Sequence, residues 1–433
     1  MEARAAAAKI LAAVVDRKTP LDGMLDAEHG NPAYIALNEA DRGLVRAIVQ
    51  TGLRYRLRIE AILSSLLQSP LPQGARSLHE LMVVGAVQIL YLDVPDHSAV
   101  DIAVELANRD PRSRRFAKLV NAILRRVGRE KEDLLEQAAG INCIPQWFFA
   151  RLVEIYGEED ARAISEAQLH PAAIDLTVKG DPAVWAAKLE GRVLPTGSVR
   201  LPAFRGAIPL IEGFEAGDWW VQDAAATIPA KLFGDISDKR VADLCAAPGG
   251  KTAQLVMAGA AVTAVEQSPN RLDRLRSNLA RLGFEADCIK TNLMDYEPDG
   301  LFDAVLLDAP CSSTGTTRRH PDVLWTKSTA DIEKLAGVQE RLLLKAADLV
   351  NSGGTLVFSN CSLDPKEGED VVARVLDQRA DLQRVAIHKE DWPGLEEAIT
   401  SLGEFRTTPA MLPSDDHLSS GMDGFYACVI RKN

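Results

Sequence analysis

The second half of the sequence alternates between short apolar strands and helices, and this alternation limits the fold more than any other feature. After about Gly217 we predict strands over 240–245, 261–266, 302–308 and 355–360, with helices over 252–258, 270–282 and 332–350. Strands and helices that alternate at this spacing form a doubly wound, mostly parallel sheet. We therefore predict a Rossmann-like α/β domain over residues 216–433.

Residues 1–135 show helical periodicity and almost no strand signal. Apolar residues recur at intervals of three and four, most clearly in the stripe formed by Phe116, Leu119, Val120, Ile123, Leu124 and Val127. The basic residues of the same segment fall mostly off that stripe. We therefore predict an all-helical domain in which one face of this last helix packs and the other is exposed.

Residues 136–215 have a mixed pattern and form a third predicted part. A helix is expected from Pro145 to Gly157, followed by short strands over 174–178, 199–202 and 208–212. We predict a small α+β module here, and its sequence indicates no function of its own.

The charge of the chain is unevenly distributed. Its 433 residues carry a net charge of −12, but residues 1–131 have a balance of +4 and the remainder −16. Nine of the 23 residues from Arg109 to Lys131 are Lys or Arg. A polyanionic partner and a solvated helix face explain this basic run equally well.

Composition excludes several classes of protein. Hydrophobic residues at 47% and charged residues at 25% are typical of a globular chain, and the longest uncharged apolar stretch, 81–92, is too short to cross a bilayer. Glu2, Arg4 and Lys9 interrupt the Ala-rich start, which favours an amphipathic helix over a secretory signal. We expect a cytoplasmic protein with no membrane association. Its six cysteines form no CxxC pair, so neither a disulfide framework nor a zinc site is indicated.

The turn after the first strand of the α/β domain is rich in glycine. It reads Asp243-Leu244-Cys245-Ala246-Ala247-Pro248-Gly249-Gly250-Lys251-Thr252. Such a turn lets a ligand approach the backbone at a helix N-terminus, but it matches neither a P-loop nor GxGxxG. Glu266 ends the second strand about 20 residues later, where a ribose diol would be held. This combination favours a nucleoside cofactor without a polyphosphate, the alternative being a structural turn with a surface glutamate.

Two later strand ends each carry a cysteine. Asp308-Ala309-Pro310-Cys311 follows one strand, and Ser359-Asn360-Cys361-Ser362 follows the next. Because parallel strands present their carboxyl ends to one crevice, both thiols should face the glycine turn. A single cysteine at a strand end usually only fills a small buried space, but two beside Asp308 favour chemistry. No metal is expected, since no paired ligand spacing occurs nearby.

Together these motifs resemble those of the RNA cytosine-C5 methyltransferases that use S-adenosylmethionine. The resemblance rests on Asp-Ala-Pro-Cys, Asn-Cys-Ser and Cys-Ala-Ala-Pro-Gly-Gly-Lys, and extends to 318–322, 364–369 and Gln222-Asp223. Residues 1–135 resemble the NusB RNA-binding fold. A NusB-like domain fused to this catalytic domain is typical of the bacterial enzymes of the family that act on 16S rRNA.

The resemblance implies roles for individual residues. Cys361 would be the nucleophile and Cys311 would assist resolution of the adduct, while Asp308 would contact the base edge and Lys251 the thiolate or the ring. The residues implied in binding S-adenosylmethionine are Cys245, Ala246, Ala247, Pro248, Gly249, Gly250, Lys251, Glu266, Asn292 and Asp308. Asn292 stands where the family commonly has aspartate, and Asp295 is the alternative contact to the adenine.

The implied partner is 16S rRNA, either naked or in an early assembly intermediate, and we expect a monomer. The sequence leaves three other functions to compare with this one. A non-catalytic RNA-binding or antitermination factor would not need the intact cysteines, Asp308 and glycine turn. A cytosine-C5 methyltransferase acting on tRNA or another RNA would carry the same motifs. Amine methylation would need an Asn/Asp-Pro-Pro-aromatic strand end, which 308–311 is not.

Overall fold

The computed structural model describes residues 1–72, 74–202 and 206–433. These residues divide into two compact units. The first contains Met1–Leu169 and Arg319–Ser328, and the second contains His170–Arg318 and Thr329–Asn433.

This division does not fall at the predicted boundaries, 135/136 and 215/216. The helix Gln146–Ala167 belongs to the first unit, where the Tyr55 hydroxyl donates a hydrogen bond to the Leu169 carbonyl. The strands that follow His170 belong to the second unit. The predicted middle module, residues 136–215, is therefore divided between the two units. Its predicted helix end at Gly157 corresponds to an interruption of Gln146–Ala167, since Gly157 has φ 82° and ψ 169°.

The described part of the first unit is helical, as predicted for residues 1–135. Asn38 caps the helix Glu39–Arg54, because its side chain accepts the Asp41 backbone N–H at 2.9 Å. The central helix, Arg76–Leu90, buries nearly all of its length. The α-helices of this unit are Glu2–Arg17, Leu21–Met24, Pro32–Ile35, Glu39–Arg54, Arg56–Leu66, Arg76–Leu90, Asp96–Arg109, Ala117–Arg129, Lys131–Ala138, Gln146–Ala167 and Val323–Thr326.

The helix Ala117–Arg129 has the two faces that its sequence predicted. Val120, Ile123, Leu124 and Val127 are buried in the core of the unit. The basic side chains lie on the opposite, exposed face, and these are Lys118, Arg125, Arg126 and Arg129.

The segment Arg319–Ser328 joins the first unit although its neighbours in sequence belong to the second. The Trp325 indole N–H donates to the Leu53 carbonyl at 3.1 Å, and its ring packs against the helical core. Asp322 Oδ2 accepts the Leu21 backbone N–H at 3.0 Å. A short piece of the predicted α/β domain thus packs with the helices of the first unit. The periodicity of the sequence did not indicate this packing.

The second unit begins with a small antiparallel sheet in the order β2-β3-β1-β4. The strands are β1 (Asp175–Val178), β2 (Arg192–Val193), β3 (Val199–Arg200) and β4 (Trp219–Val221). The predicted strand over 208–212 is wrong. Ile208–Leu210 forms a 3₁₀ turn, because Pro209 has no N–H to donate to a neighbouring strand.

The larger sheet has the order β10-β12-β9-β8-β5-β6-β7 among the described residues, with β11 beside β12. The five strands from β9 to β7 are parallel, as predicted, and β10, β11 and β12 are antiparallel additions. The strands are β5 (Arg240–Leu244), β6 (Ala261–Glu266), β7 (Asp287–Lys290), β8 (Phe302–Asp308), β9 (Val350–Asn360), β10 (Leu382–Val385), β11 (Phe405–Thr407) and β12 (Phe425–Lys432).

Helices cover both faces of this sheet. Ala242 and Leu244 of β5 pack in a cluster with the helix Thr329–Asp348, whereas Val241 packs in another cluster with Leu255. Neighbouring residues of β5 thus face helices on opposite sides of the sheet, which is the doubly wound arrangement predicted from the sequence. The helices of the unit are Pro182–Lys188, Ile228–Lys231, Gly250–Met257, Pro269–Leu282, Thr329–Asp348 and Glu369–Gln378. Across the described residues, no helix is long and apolar enough to span a membrane.

Candidate active site

The two cysteines follow neighbouring parallel strands. Asp308 at the end of β8 pairs in register with Ser359 of β9, so the two loops leave the sheet side by side. The sulfurs of Cys311 and Cys361 lie 3.4 Å apart, within hydrogen-bonding distance for sulfur. The parallel pairing thus converts two cysteines 50 positions apart into adjacent thiols.

The surroundings of the two thiols shift their pKa values in opposite directions. The pKa of Cys361 is lowered, chiefly by its hydrogen bond with the Cys311 thiol, with further help from Ser313 and the Lys251 charge. The pKa of Cys311 is raised well above its usual value by the same contact and by burial. Of the two thiols, Cys361 therefore loses its proton more readily than Cys311.

A lysine–aspartate pair lies at the same end of the sheet. Lys251 Nζ is 2.7 Å from Asp308 Oδ2, and the Ser359 hydroxyl donates to Asp308 Oδ1 at 3.0 Å. The Lys251 ammonium also lies 4.8 Å from the centre of the Phe425 ring. Since Lys251 sits in the first turn of Gly250–Met257, the glycine turn is what places this cation against Asp308.

The glycine turn is held by the next helix of the sheet. Arg271 donates to the Ala247 carbonyl at 2.7 Å, and Asn278 donates to the Pro248 carbonyl at 2.8 Å. Gly249 has φ 101°, and a Cβ at this position would lie 3.1 Å from the Leu275 side chain. Only glycine fits this position without strain.

A cavity of about 390 Å³ opens beside the two thiols. Six of the residues selected from the sequence line it, namely Cys245, Glu266, Asn292, Asp308, Cys311 and Cys361. The rest of the turn, Ala246 to Lys251, is not part of this lining, and neither is Asp295. The volume of the cavity is within the range of small-molecule and cofactor sites.

Several further residues of the cavity wall were not expected from the sequence, among them Gln267, Arg271, Thr291, Met294 and Arg341. Gln267 directly follows Glu266 and Met294 lies two residues after Asn292, so their positions next to selected residues carried a usable signal. Arg271 and Arg341 project from helices, and only the folded structure brings them to the cavity.

Glu266 has the features needed to hold a ribose. Its side chain is only 2% exposed, and Oε1 accepts the Ser268 backbone N–H at 2.9 Å. Oε2 receives no hydrogen bond, although the Arg271 guanidinium lies 3.2 Å away as an ion pair. A buried carboxylate oxygen with unused acceptor capacity in a cavity wall fits the hydroxyls of a nucleoside. The residues present therefore fit the cofactor that the sequence predicted.

The sheet order, the glycine turn after β5 and the acidic end of β6 define the second unit as a Rossmann-like domain. Models of two protein families match the chain. The model of the 16S rRNA methyltransferase RsmB/F family matches residues 233–431, and that of the NusB family matches residues 1–129.

Relatives of known name match along the whole chain. The ribosomal RNA small subunit methyltransferase B of Vibrio vulnificus is 33% identical, with 100% of both chains covered. That of Vibrio cholerae is 32% identical, covering 100% of this chain and 98% of the relative. The chain therefore belongs to the ribosomal RNA small subunit methyltransferase B family, which confirms the resemblance read from its motifs.

Solved structures agree with the fold. The crystal structure of PH0851 superposes with a TM-score of 0.73 at 19% identity, covering 99% of each chain. A methyltransferase homologue from Pyrococcus horikoshii gives a TM-score of 0.54 at 27% identity, covering 70% of this chain and 98% of that one.

Proposed function

We propose that this protein transfers a methyl group from S-adenosylmethionine to C5 of a cytosine in 16S rRNA, through a covalent bond between Cys361 and C6. The observation that carries this proposal is the contact between two thiols whose pKa values are shifted in opposite directions. The names of the relatives support an rRNA substrate. The resemblance of the motifs and the contact between the two thiols support C5 as the position and the covalent adduct.

A nucleophilic thiolate is needed to activate C5 of cytosine for methylation. C5 of cytosine belongs to an aromatic ring and is a poor nucleophile. When the Cys361 sulfur forms a bond to C6, the ring loses its aromaticity and C5 becomes enamine-like. S-adenosylmethionine, when bound, supplies an electrophilic methyl group. When a base such as water takes the C5 proton, the C5–H electron pair restores the C5–C6 double bond and the C6–sulfur bond breaks, which releases the Cys361 thiolate.

Cys311 would assist the second half of the reaction. Its pKa is raised chiefly through its hydrogen bond to the Cys361 sulfur. Once that sulfur is a neutral thioether, the cause of the shift disappears and Cys311 gives up its proton more readily. We assign Cys311 to resolution of the adduct for this reason.

Asp308 and Lys251 would act on the base. The Asp308 carboxylate is held by Lys251 and Ser359 next to the thiols, where it can accept a hydrogen bond from the N4 amino group of a flipped cytosine, and from N3 when N3 is protonated during addition. Lys251 keeps this carboxylate oriented, and its charge also favours the Cys361 thiolate. Both residues are thus assigned to the addition step.

The cavity beside the thiols would hold the cofactor. We assign the ribose hydroxyls to Glu266 and the adenine to Asn292, since Asn292 lines the cavity and Asp295 does not. The turn from Cys245 to Lys251 would contribute mainly by placing Cys245 in the wall and Lys251 on Asp308.

The helical unit would bind the RNA backbone. The exposed basic face of Ala117–Arg129 offers contacts to phosphates without requiring a base sequence. We propose naked 16S rRNA or an early assembly intermediate as the substrate and a monomer as the active form.

The test is methylation of unmodified 16S rRNA with methyl-labelled S-adenosylmethionine, followed by digestion to nucleosides. We expect label in 5-methylcytidine with the wild type and with Cys288→Ser, a control thiol on β7, and none with Cys361→Ser. Label in another nucleoside would exclude C5 chemistry, and label in tRNA alone would exclude the rRNA substrate. Binding of RNA without any labelling would favour a non-catalytic factor.

A further inference from the structure

A single carboxylate connects the residues that follow the two cysteines. Glu367 is fully buried in the turn Pro365–Glu367. Its Oε1 accepts the Ser312 backbone N–H at 2.8 Å, and its Oε2 accepts the hydroxyls of Ser312 and, at 2.6 Å, Ser362. Ser312 follows Cys311 and Ser362 follows Cys361, so both cysteine loops are fastened to one side chain.

The residues that precede the cysteines are fastened to the same place. Gln339, fully buried on Thr329–Asp348, donates from Nε2 to the Pro310 carbonyl at 3.0 Å and to Glu367 Oε1 at 3.1 Å. Asn360 donates to the backbone carbonyl of Glu367 at 2.5 Å. Each cysteine loop is therefore held on both sides of its thiol by contacts that meet at Glu367.

The hydrogen bonds around Glu367 suit its ionised form. Burial raises the pKa of Glu367, but the bonds from Ser312 and Ser362 oppose this effect. All of its partners in these contacts act as donors, as an ionised carboxylate requires. Its charge also contributes to the raised pKa of Cys311, so it helps to keep the proton on that thiol.

We propose that Glu367 is a positioning residue that holds the Cys311 and Cys361 sulfurs in contact by anchoring Ser312 and Ser362. It touches neither thiol and acts through the two serines. The inference rests on the proposed function of the two cysteines. A buried carboxylate at this point costs stability. If its role were only structural, uncharged side chains of similar volume would fill the space equally well. The geometry is explained if the carboxylate sets the distance between the two loops.

The test compares Glu367→Gln with Glu340→Gln. Glutamine has the same shape as glutamate, but one acceptor oxygen becomes an amide donor that cannot accept the serine hydroxyls. Glu340, on the helix Thr329–Asp348, is the matched control, because its carboxylate pairs with Arg374 and Gln378 of the helix Glu369–Gln378. We expect kcat for methylation to fall roughly tenfold in Glu367→Gln, with KM for S-adenosylmethionine within twofold of wild type. Glu340→Gln should match wild type in both constants.

A second measurement does not depend on methylation. Brief alkylation with iodoacetamide, followed by peptide mass spectrometry, gives the ratio of modified Cys361 to modified Cys311. We expect this preference for Cys361 to fall severalfold in Glu367→Gln and to stay unchanged in Glu340→Gln. The combined variant with Ser362→Ala should lose little more than Glu367→Gln alone, because both changes break the same connection.

The possible results separate the two proposals. If Glu367→Gln folds and keeps both the wild-type kcat and the wild-type alkylation ratio, the positioning role is wrong. If wild type labels no cytosine while Glu367→Gln changes the alkylation ratio, the proposed function fails and the anchoring of the thiols stands. If Glu367→Gln does not fold, the double variant Ser312→Ala with Ser362→Ala must show the same two changes, and unchanged values there would overturn the inference.

Discussion

Replacing the buried carboxyl group of Asp243 with an amide should stabilise the second unit increasingly as the pH rises. Asp243 is fully buried in β5, where Thr252 donates a hydroxyl to Oδ2 at 2.6 Å and Oδ1 has no hydrogen-bond partner. Burial raises the pKa of Asp243 from 3.8 to about 7. Between these two values the folded protein holds a proton that the unfolded chain has released. The free energy of unfolding therefore falls as the pH rises through this window.

The magnitude follows from the size of the shift. A rise of about three pKa units at about 1.4 kcal/mol per unit removes ~4 kcal/mol of stability between pH 4 and pH 7, with no further loss above that. Asp243→Asn is neutral throughout and can keep the Thr252 hydrogen bond through its amide oxygen. The difference in free energy of unfolding, variant minus wild type, should therefore rise by ~4 kcal/mol from pH 4 to pH 8.

Urea unfolding of both proteins at several pH values, followed by tryptophan fluorescence, measures this difference. Asp235→Asn is the control with the opposite sign. Asp235 is exposed, and a hydrogen bond from the Ser237 backbone lowers its pKa, so its loss should not stabilise the protein at any pH. A difference for Asp243→Asn that stays constant from pH 4 to pH 8 would refute the reasoning.

Three further predictions concern packing, a buried ion pair and the thiols. Gly315→Ala should lower the thermal midpoint sharply, because its Cβ would lie 2.0 Å from the Gly424 carbonyl oxygen, whereas Gly337→Ala, with open space around it, should stabilise the protein by about 0.5–1 kcal/mol. Arg200→Met should cost about 3–5 kcal/mol in urea unfolding, since it leaves the buried Asp175 carboxylate unpaired, while Arg276→Met, at a surface pair, should change stability by less than about 0.5 kcal/mol. Cys311→Ala should shift the pH midpoint for alkylation of Cys361 upward, because the thiol that lowers its pKa is gone, and an unchanged midpoint would contradict the assignment of the thiolate.

The parts of the fold that local patterns specify could be predicted. Residues 302–308 were expected to form a strand because both faces of a central parallel strand are buried, which gives a continuous apolar run, and β8 has these bounds. The helix Ala117–Arg129 was predicted from its apolar stripe. In both cases the pattern of apolar residues within one short segment indicates which side chains are buried.

Other features depend on contacts between distant parts of the chain. The antiparallel strand β12 pairs Tyr426 with Asn360, and no local pattern indicates that pairing. The segment Arg319–Ser328 is held by the helical unit through Trp325 and Asp322, whose partners lie hundreds of positions earlier in the sequence.

The candidate site divides in the same way. Parallel strands bring their ends together, so the grouping of Cys311, Cys361 and Asp308 could be expected from the sequence. The direction of the pKa shifts could not, because it depends on which thiol donates the hydrogen bond. The role of Glu367 could not be predicted either, since the four hydrogen bonds of its carboxylate form only when distant segments of the chain come together.

Trapping of the covalent adduct tests the central claim most directly. Wild type, Cys311→Ser and Cys361→Ser would each be incubated with methyl-labelled S-adenosylmethionine and unmodified 16S rRNA, then separated on a denaturing gel. We predict label in free RNA for wild type, a labelled protein–RNA band for Cys311→Ser, and neither for Cys361→Ser. A protein–RNA band with Cys361→Ser, or none with Cys311→Ser while wild type labels cytosine, would contradict the assigned roles of the two thiols.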